Sequence, residues 1–242
     1  MLEGMFAFAL YNKKKNILYI VRDRIGEKPI YYYHKNNVFV FGSDLSIFKK
    51  VKNIKFEIDE KILPEYLQNG CIKAPNSIFK YIKKLEPGSY LKLNDNFSQI
   101  KTNFYWSIEN VVNSTYSLRN NHNKNFLDEK ENLKKLLEKT VEKQTISDVG
   151  VGSFLSGGVD SSLISSILSK YSKKKIKTFT VAFENRNYDE SEQAKKISNY
   201  LKTDHYEYYM SKNDLISAAD NLHLIYSEPF ADSSQLPTYL IS

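Results

Sequence analysis

The sequence lacks the features of secreted and membrane proteins. It has one cysteine, Cys71, among 242 residues, which excludes an internal disulfide framework and a cysteine-rich metal site and fits a reducing compartment. No apolar run approaches the ~20 residues that a membrane span needs. The opening residues, MLEGMFAFALYN, have no basic region and no cleavage-like site, so we expect no signal peptide. We therefore predict a cytoplasmic protein without a membrane partner.

Acidic residues are fewer than basic ones, and the formal net charge is +7. The surplus lies in short lysine runs, such as Lys13–Lys15 and Lys173–Lys175, that separate apolar segments. No motif that reads DNA or RNA accompanies them, so solvated loops explain the charge better than nucleic-acid binding. The four histidines are scattered without ligand spacing, and we expect no metal site built on them.

The first third of the chain has the pattern of β-structure. Short segments rich in aromatic and β-branched residues alternate with polar turns, which predicts an antiparallel meander. The predicted strands are Met5–Asn12, Ile17–Asp23, Pro29–His34 and Val38–Ser43, followed by a short helix at Asp59–Tyr66 and a turn and strand at Glu86–Leu93. Residues 108–126 are polar and rich in asparagine, which indicates a linker or long loop.

The remainder of the chain alternates between helical and strand periodicity. An amphipathic helix is predicted at Leu127–Val141. Strands are then predicted at Val149–Leu155, Ile176–Phe183 and His205–Met210, and helices around Leu163–Leu168 and at Ser191–Leu201 and Asp214–Leu224. This order predicts right-handed βαβ units in a parallel sheet, in which ligands bind beyond the carboxyl ends of the strands. The fold class is therefore α+β followed by α/β.

One stretch, SFLSGGVDSSLISSIL from Ser153 to Leu168, stands at such a strand end. Unpaired backbone N–H groups at a helix start attract anions, and Gly157 and Gly158 let the backbone approach a phosphate closely. The hydroxyl groups of Ser156, Ser161 and Ser162 can donate to phosphate oxygens. The carboxylate of Asp160 would repel a phosphate unless Mg²⁺ lies between the two.

Other interpretations of this stretch are weaker. It has no lysine for the Walker A pattern, and Leu155 stands where the dinucleotide fingerprint needs its third glycine. A plain glycine turn with serine or aspartate helix caps is the simplest alternative. The full string SGGVDSS between a strand and an amphipathic helix is more specific than that alternative.

SGGVDSS resembles the pyrophosphate loop of the PP-loop ATP pyrophosphatases, and the flanking sequence resembles the glutamine-hydrolysing asparagine synthetases. The C-terminal matching blocks are SDVGVGSFLSGGVDSSLI (Ser147–Ile164), TFTVAF (Thr178–Phe183), YDES (Tyr188–Ser191) and EPFADSSQLPTYLIS (Glu228–Ser242). The N-terminal blocks are GMFAFALY (Gly4–Tyr11), RDRIGEKPIYY (Arg22–Tyr32) and APNSIFKYIKKLEPGSYL (Ala74–Leu91). The resemblance covers nearly the whole chain.

The resemblance implies two domains and a ligase reaction. Residues 1–107 would form the C-terminal part of an N-terminal-nucleophile-type glutaminase, residues 108–126 a linker, and residues 127–242 a PP-loop domain of the adenine nucleotide α-hydrolase type. Aspartate would attack the α-phosphate of Mg·ATP to give β-aspartyl-AMP and pyrophosphate, and ammonia would then displace AMP. The loop residues Ser156, Gly157, Gly158, Asp160, Ser161 and Ser162 would bind pyrophosphate, Asp160 acting through Mg²⁺, and Leu155, Val181 and Phe183 would flank the adenosine.

The sequence also departs from this family. The family's glutaminase nucleophile is a cysteine at the first position, whereas Met1 is followed by Leu2 here and Cys71 lies after the glutaminase-like strands. A second Ser-Gly-acidic loop is missing at the C-terminal side, and Ser227 replaces the first residue of the family's Asp-Glu-Pro. We therefore expect a chain truncated at both ends that does not hydrolyse glutamine, and that forms a homodimer or pairs with a separately encoded piece.

Two alternatives stay open at this point. The chain could belong to a related amidotransferase that acts on another carboxylate acceptor, such as a sugar-linked acid or a β-lactam precursor. It could also be a remnant that binds nucleotide without turnover. The two enzymatic interpretations share small-molecule substrates, namely ATP, a carboxylate acceptor such as aspartate, and glutamine or ammonia. The remnant would share only the binding of nucleotide.

Overall fold

The computed structural model describes residues 2–94, 100–116, 125–183 and 189–242. The chain divides into two compact units. The N-terminal unit comprises Met1–His122 together with His223–Asp232, and the C-terminal unit comprises Asn123–Leu222 together with Ser233–Ser242. Within the described ranges, no helix combines the length and the apolar composition that crossing a membrane requires.

The N-terminal unit contains two antiparallel sheets. Its elements are the strands β1 (Ala7–Asn12), β2 (Ile17–Arg22), β3 (Tyr31–Lys35), β4 (Val38–Gly42), β5 (Ile82–Lys84), β6 (Ser89–Asn94) and β7 (Lys101–Phe104), the helices α1 (Leu63–Asn69) and α2 (Ile108–Tyr116), and 3-10 turns at Leu45–Lys50 and Glu60–Ile62. One sheet has the order β1-β2-β6-β7 and the other the order β4-β3-β5. The predicted strands exist, but the prediction of one continuous meander is wrong, because the chain changes sheet between β2 and β3.

The change of sheet follows from the Arg22-Asp23 corner. The Asp23 carboxylate is 2% exposed and accepts hydrogen bonds from the backbone N–H groups of Gly26 at 2.6 Å and Lys28 at 3.0 Å. The Arg22 guanidinium donates to the carbonyls of Gly26, Lys28 and Leu85 at 2.7, 2.9 and 2.5 Å. Burial acts to raise the pKa of Asp23, but the backbone donors outweigh it and hold the pKa below its usual value. Both side chains therefore bind backbone groups and fix the turn.

Two apolar clusters stabilise the N-terminal unit. The inward residues of β2 and β6 are buried with their neighbours on the connecting segments: Ile20, Ile30, Leu85, Leu91 and Leu93. A second cluster forms around the first 3-10 turn from Tyr33, Leu45, Phe48, Ile62, Ile72, Ile78 and Ile82. The alternation of buried and exposed residues along β6 is what a strand with one core-facing side requires.

The C-terminal unit is built on a parallel sheet. Its elements are α3 (Phe126–Gln144), β8 (Gly152–Phe154), α4 (Val159–Tyr171), β9 (Lys177–Phe183), α5 (Ser191–Leu201), β10 (Asp204–Met210), α7 (Gln235–Ile241) and α6 (Lys212–Ile225), whose last three residues are counted with the N-terminal unit. The strand order is β10-β9-β8, and both pairings are parallel. The predicted parallel sheet is confirmed, and the Ser-Gly-Gly stretch follows the carboxyl end of β8.

The asparagine-rich segment contains a helix that was not predicted. Residues 108–116 form α2 rather than a loop; its apolar residues Ile108, Val111 and Val112 have the i, i+3, i+4 spacing of one helical face. Residues 117–124 lie outside the described part of the chain, as does Tyr188 of the YDES block. The linker role of residues 108–126 remains a prediction.

Candidate nucleotide-binding site

The loop after β8 is fixed at its entrance by β9. The backbone N–H of Leu155 donates to the carbonyl of Phe179 at 2.8 Å. The buried hydroxyl of Thr180 donates to the carbonyl of Leu155. The backbone N–H and the carbonyl of Leu155 are therefore both hydrogen-bonded to β9 before the chain turns, and the side chain of Leu155 is buried.

The turn itself needs glycine at one position. Gly157 has φ of +83°, in the left-handed region that disfavours other residues. A Cβ there would lie 3.0 Å from the side chain of Gln193 and 3.1 Å from the backbone nitrogen of Ala194, both on α5. Gly158 has ordinary dihedral angles and is the N-cap residue of α4. The turn thus packs directly against the first turns of α5.

Hydrogen bonds between serine side chains and the backbone close the loop. Ser161 Oγ accepts from the backbone N–H of Ser156 at 3.2 Å, lies 3.0 Å from Ser156 Oγ, and donates to the carbonyl of Gly158 at 3.2 Å. Ser162 Oγ donates to the same carbonyl at 2.6 Å. The loop is therefore ordered by its own groups before any ligand binds.

The predicted metal-facing residue, Asp160, lies in the first turn of α4. It does not cap the helix, because Gly158 occupies the N-cap position. Its side chain is exposed. Across the described ranges, no group of three His, Cys, Asp or Glu residues could hold a metal ion. Asp160 is thus a single exposed carboxylate at the start of α4.

A cavity of about 270 Å³ opens beside the loop. The residues predicted to flank an adenosine, Leu155, Val181 and Phe183, line it together with Ser156. The other lining residues are Phe154, Phe179, Thr180, Glu190, Pro237, Thr238 and Ile241. Mostly apolar walls with a few polar groups at one end are typical of a nucleotide-base pocket. Gly157, Gly158, Asp160, Ser161 and Ser162 lie in the adjoining turn and helix start.

Residues of α7 at this cavity were missed by sequence reasoning. Pro237, Thr238 and Ile241 are far from the loop in sequence, and no local pattern links them to it. Their only signal was the block EPFADSSQLPTYLIS, whose role the sequence left unassigned. The walls of the cavity therefore come from four separate segments of the C-terminal unit.

A partly exposed carboxylate organises the start of α5 at the same end of the sheet. Asp189 accepts hydrogen bonds from the backbone N–H and hydroxyl of Ser191 at 3.1 and 3.0 Å, and from the N–H of Phe183 at 3.4 Å. Desolvation acts to raise the pKa of Asp189, but these hydrogen bonds hold the pKa below its usual value. Asp189 is therefore occupied by the protein and fixes the end of β9 to α5.

The Ser227-Glu228 pair lies within the N-terminal unit. Ser227 Oγ donates to Asp44 Oδ2 at 2.7 Å, and Glu228 accepts from the backbone N–H of Ile78 at 2.8 Å. Glu228 also forms an ion pair with Lys84. Serine at position 227 is thus complementary to Asp44, where a carboxylate would be repelled.

Cys71 does not form part of a recognisable thiol site. It is exposed and lies beyond the Gly70 cap of α1, at the rim of a cavity of about 290 Å³. Tyr31 lines the same cavity, and burial together with the carboxylates of Glu228 and Asp44 raises its pKa.

Comparison with known proteins assigns each part of the chain to a class. The asparagine synthase family model matches residues 132–242, and the glutamine amidotransferase domain model matches residues 1–106. The two models thus describe an amidotransferase part followed by a synthase part. The names of similar proteins point to a more specific class than the two family models do.

The putative asparagine synthetase (glutamine-hydrolyzing) 2 of Methanocaldococcus jannaschii is 37% identical over 246 residues, which cover 99% of this chain and 45% of the relative. The asparagine synthetase (glutamine-hydrolyzing) 1 of Bacillus subtilis is 30% identical over 253 residues, which cover 100% of this chain and 36% of the relative. Along nearly its whole length the chain is thus similar to glutamine-hydrolysing asparagine synthetases. It spans less than half the length of these two relatives.

Proposed function

We propose that the C-terminal unit binds Mg·ATP and that this chain serves ATP-dependent synthesis of asparagine from aspartate, through β-aspartyl-AMP. Glutamine or ammonia is the nitrogen donor of the parent activity, and this chain itself lacks the glutaminase site. One observation carries the proposal: Leu155, Ser156, Val181 and Phe183 line one cavity beside the Ser-Gly-Gly turn. The names of the relatives support the choice of reaction. We further propose a glutaminase-type region at 1–107, a linker at 108–126 and a PP-loop domain at 127–242.

The adenosine would lie in the apolar cavity, and the phosphates would lie against the turn and the start of α4. The first N–H groups of a helix have no intrahelical partner and carry partial positive charge. They would stabilise the negative charge that develops on departing pyrophosphate. Asp160 would hold Mg²⁺ against the phosphates, and the cation, when bound, neutralises phosphate charge.

The chemistry then proceeds in two displacements. An aspartate side-chain oxygen attacks the α-phosphorus, and the bond from that phosphorus to the bridging oxygen breaks, so pyrophosphate leaves with the electron pair. The nitrogen of ammonia next attacks the acyl carbon, AMP leaves, and one proton is released. The chain's contribution is to hold the phosphates in place and to stabilise the leaving group, as in other phosphate-transfer sites.

A pair of glycine variants tests this proposal. In Gly157→Ala, the new Cβ meets Gln193 and Ala194 at a left-handed backbone position, so the turn shifts and aspartate-dependent release of pyrophosphate from ATP falls about 100-fold. Gly150→Ala is the matched control, because a Cβ at Gly150 has nothing within 4 Å. The assay uses ammonia as nitrogen donor, with melting curves to confirm that both variants fold. Wild-type chain that binds no Mg·ATP, or equal loss in the two variants, would overturn the proposal.

A further inference from the structure

One side of α3 carries a regular row of exposed side chains. Its members recur at alternating steps of three and four residues, which places them in one line along a helix. We call this row the α3 seam, and its members are Phe126, Glu129, Leu133, Leu136, Thr140 and Lys143. The three apolar members, Phe126, Leu133 and Leu136, are 77%, 57% and 61% exposed. A row with this spacing is the pattern by which one helix packs along another.

The seam is distinct from the side by which α3 joins its own unit. Val141 belongs to a buried cluster that α4 and the residue before β9 complete, and Leu137 packs against that cluster. Glu138 accepts hydrogen bonds from Lys170 and Tyr171 of α4 at 2.8 and 3.0 Å. These contacts hold α3 on α4 and leave the side chains of the seam exposed.

The order of charges along the seam makes it complementary to itself in one orientation. Glu129 lies near its N-terminal end and Lys143 forms its C-terminal end, with Leu133 and Leu136 between them. Two copies of α3 packed in parallel would place glutamate beside glutamate and lysine beside lysine. Packed antiparallel about a two-fold axis, they bring Glu129 of each copy within about one helical turn of Lys143 in the other. The same arrangement places Leu133 opposite Leu136.

We propose that the α3 seam is a self-association surface, through which two copies of this chain form an antiparallel, two-fold symmetric dimer. The helix has 19 residues and is therefore about 28 Å long. A single pair of such helices buries less than the ~1,200 Å² of a standard protein interface. The dimer is therefore weak, with a dissociation constant on the order of tens of micromolar.

Sedimentation equilibrium across concentrations that bracket this value tests the apolar part of the seam. Leu133→Gln should raise the dissociation constant of the dimer about tenfold or more, because the leucine is buried twice across the two-fold axis. Leu67→Gln is the matched control, since Leu67 is 81% exposed on α1 and lies outside the seam. It should leave the dissociation constant at the wild-type value. Melting curves confirm that both variants fold.

An exchange of charges tests the orientation. Glu129→Lys alone places lysine beside lysine across the axis, and Lys143→Glu alone places glutamate beside glutamate. Each should raise the dissociation constant about tenfold, because two attractive pairs become repulsive. The double variant Glu129→Lys/Lys143→Glu restores opposite charges and should return the constant to within about threefold of wild type. A parallel pair would show no such recovery, since like charges would face each other in every version.

The outcomes decide the proposal one part at a time. A wild-type chain that stays monomeric at every concentration overturns it. Equal weakening by Leu133→Gln and Leu67→Gln also overturns it, because association would then use another surface. A double charge variant that is no better than the single ones overturns the antiparallel arrangement. None of these measurements uses nucleotide, so they are independent of the function proposed above.

Discussion

At the scale of single residues, Asp160 gives the sharpest distinction between a metal-binding role and a structural one. Its carboxylate is exposed and stands at the second position of α4, behind the Gly158 cap. If it holds Mg²⁺ against pyrophosphate, Asp160→Ala should weaken Mg·ATP binding about tenfold or more while metal-free adenosine binds unchanged. If it only favours the helix start, the loss is at most about 1 kcal/mol of stability. Calorimetric titrations with and without Mg²⁺ distinguish these results, and equal weakening of both ligands would contradict the metal role.

His205 governs a second prediction, on pH. Its Nδ1 lies 2.9 Å from Thr178 Oγ1, and its Nε2 lies 3.5 Å from Glu207 Oε1, which is too long for a hydrogen bond. Burial lowers the pKa of His205 below its usual 6.5, Glu207 acts in the opposite direction, and Lys195 adds to the lowering. The unfolded chain therefore binds the proton more readily than the folded chain.

The sign of the pH effect follows. The contribution of His205 to stability is complete above about pH 6.5 and is lost as the pH falls through the lower folded-state pKa. In His205→Gln the melting temperature should change less between pH 7 and pH 5 than in wild type. Glu207→Gln removes the anion that raises the pKa of His205, so its melting temperature should keep the dependence on pH. Melting curves across this range measure both, and a slope that is the same in wild type and His205→Gln would contradict the assignment.

At the scale of elements, β1 leaves apolar surface exposed. It is an edge strand of the β1-β2-β6-β7 sheet, and Leu10 and Tyr11 are 57% and 55% exposed. Exposed edges with apolar side chains promote association between molecules. We therefore expect molecules of this chain to associate through the β1 edge.

Leu10→Lys should raise the protein concentration at which light scattering begins, by several-fold. Asn12→Lys adds the same charge at the exposed end of the same strand but removes no apolar surface. We expect a smaller change from it, which separates loss of apolar area from gain of charge. Equal effects of the two variants would show that charge alone controls the association.

Local periodicity predicted most elements but not the sheets to which they belong. The helix at Ser191–Leu201 and the strands β1, β2 and β9 begin or end within two residues of their predicted bounds, because their apolar spacing is regular. The pairing of β2 with β6 and of β3 with β5 joins residues that are distant in sequence. The Arg22 and Asp23 side chains fix the turn between β2 and β3 through hydrogen bonds to backbone groups, which side-chain patterns do not report. β5 has only three residues, too few to show a period.

The candidate site was also predictable only in part, because local sequence shows the turn but not the residues that approach it from distant parts of the chain. The Ser-Gly-Gly turn could be placed at a strand end from sequence, and its role in pyrophosphate binding came from the resemblance to a family. The wall contributed by α7 and the internal hydrogen bonds of Ser161 depend on three-dimensional proximity.

At the scale of the whole molecule, we predict that the chain does not hydrolyse glutamine. Its only thiol is Cys71, which is exposed beyond the end of α1, and thiol catalysis requires an adjacent base and an oxyanion hole. Incubation of purified chain with glutamine should therefore yield no glutamate above that of a mock purification. Glutamate formation that persists in Cys71→Ala and is absent from the mock sample would contradict the assignment of the N-terminal region.

The placement of His223–Asp232 in the N-terminal unit has a consequence for how such chains can be recombined. A crossover within residues 117–124 would exchange most of the N-terminal unit but leave Ser227 and Glu228 behind with the recipient. The incoming segment would then need a carboxylate at position 44 and a lysine at position 84 to meet them. Exchange of this region between diverged genes is thus limited by two side-chain pairs, each of which has one member encoded far downstream.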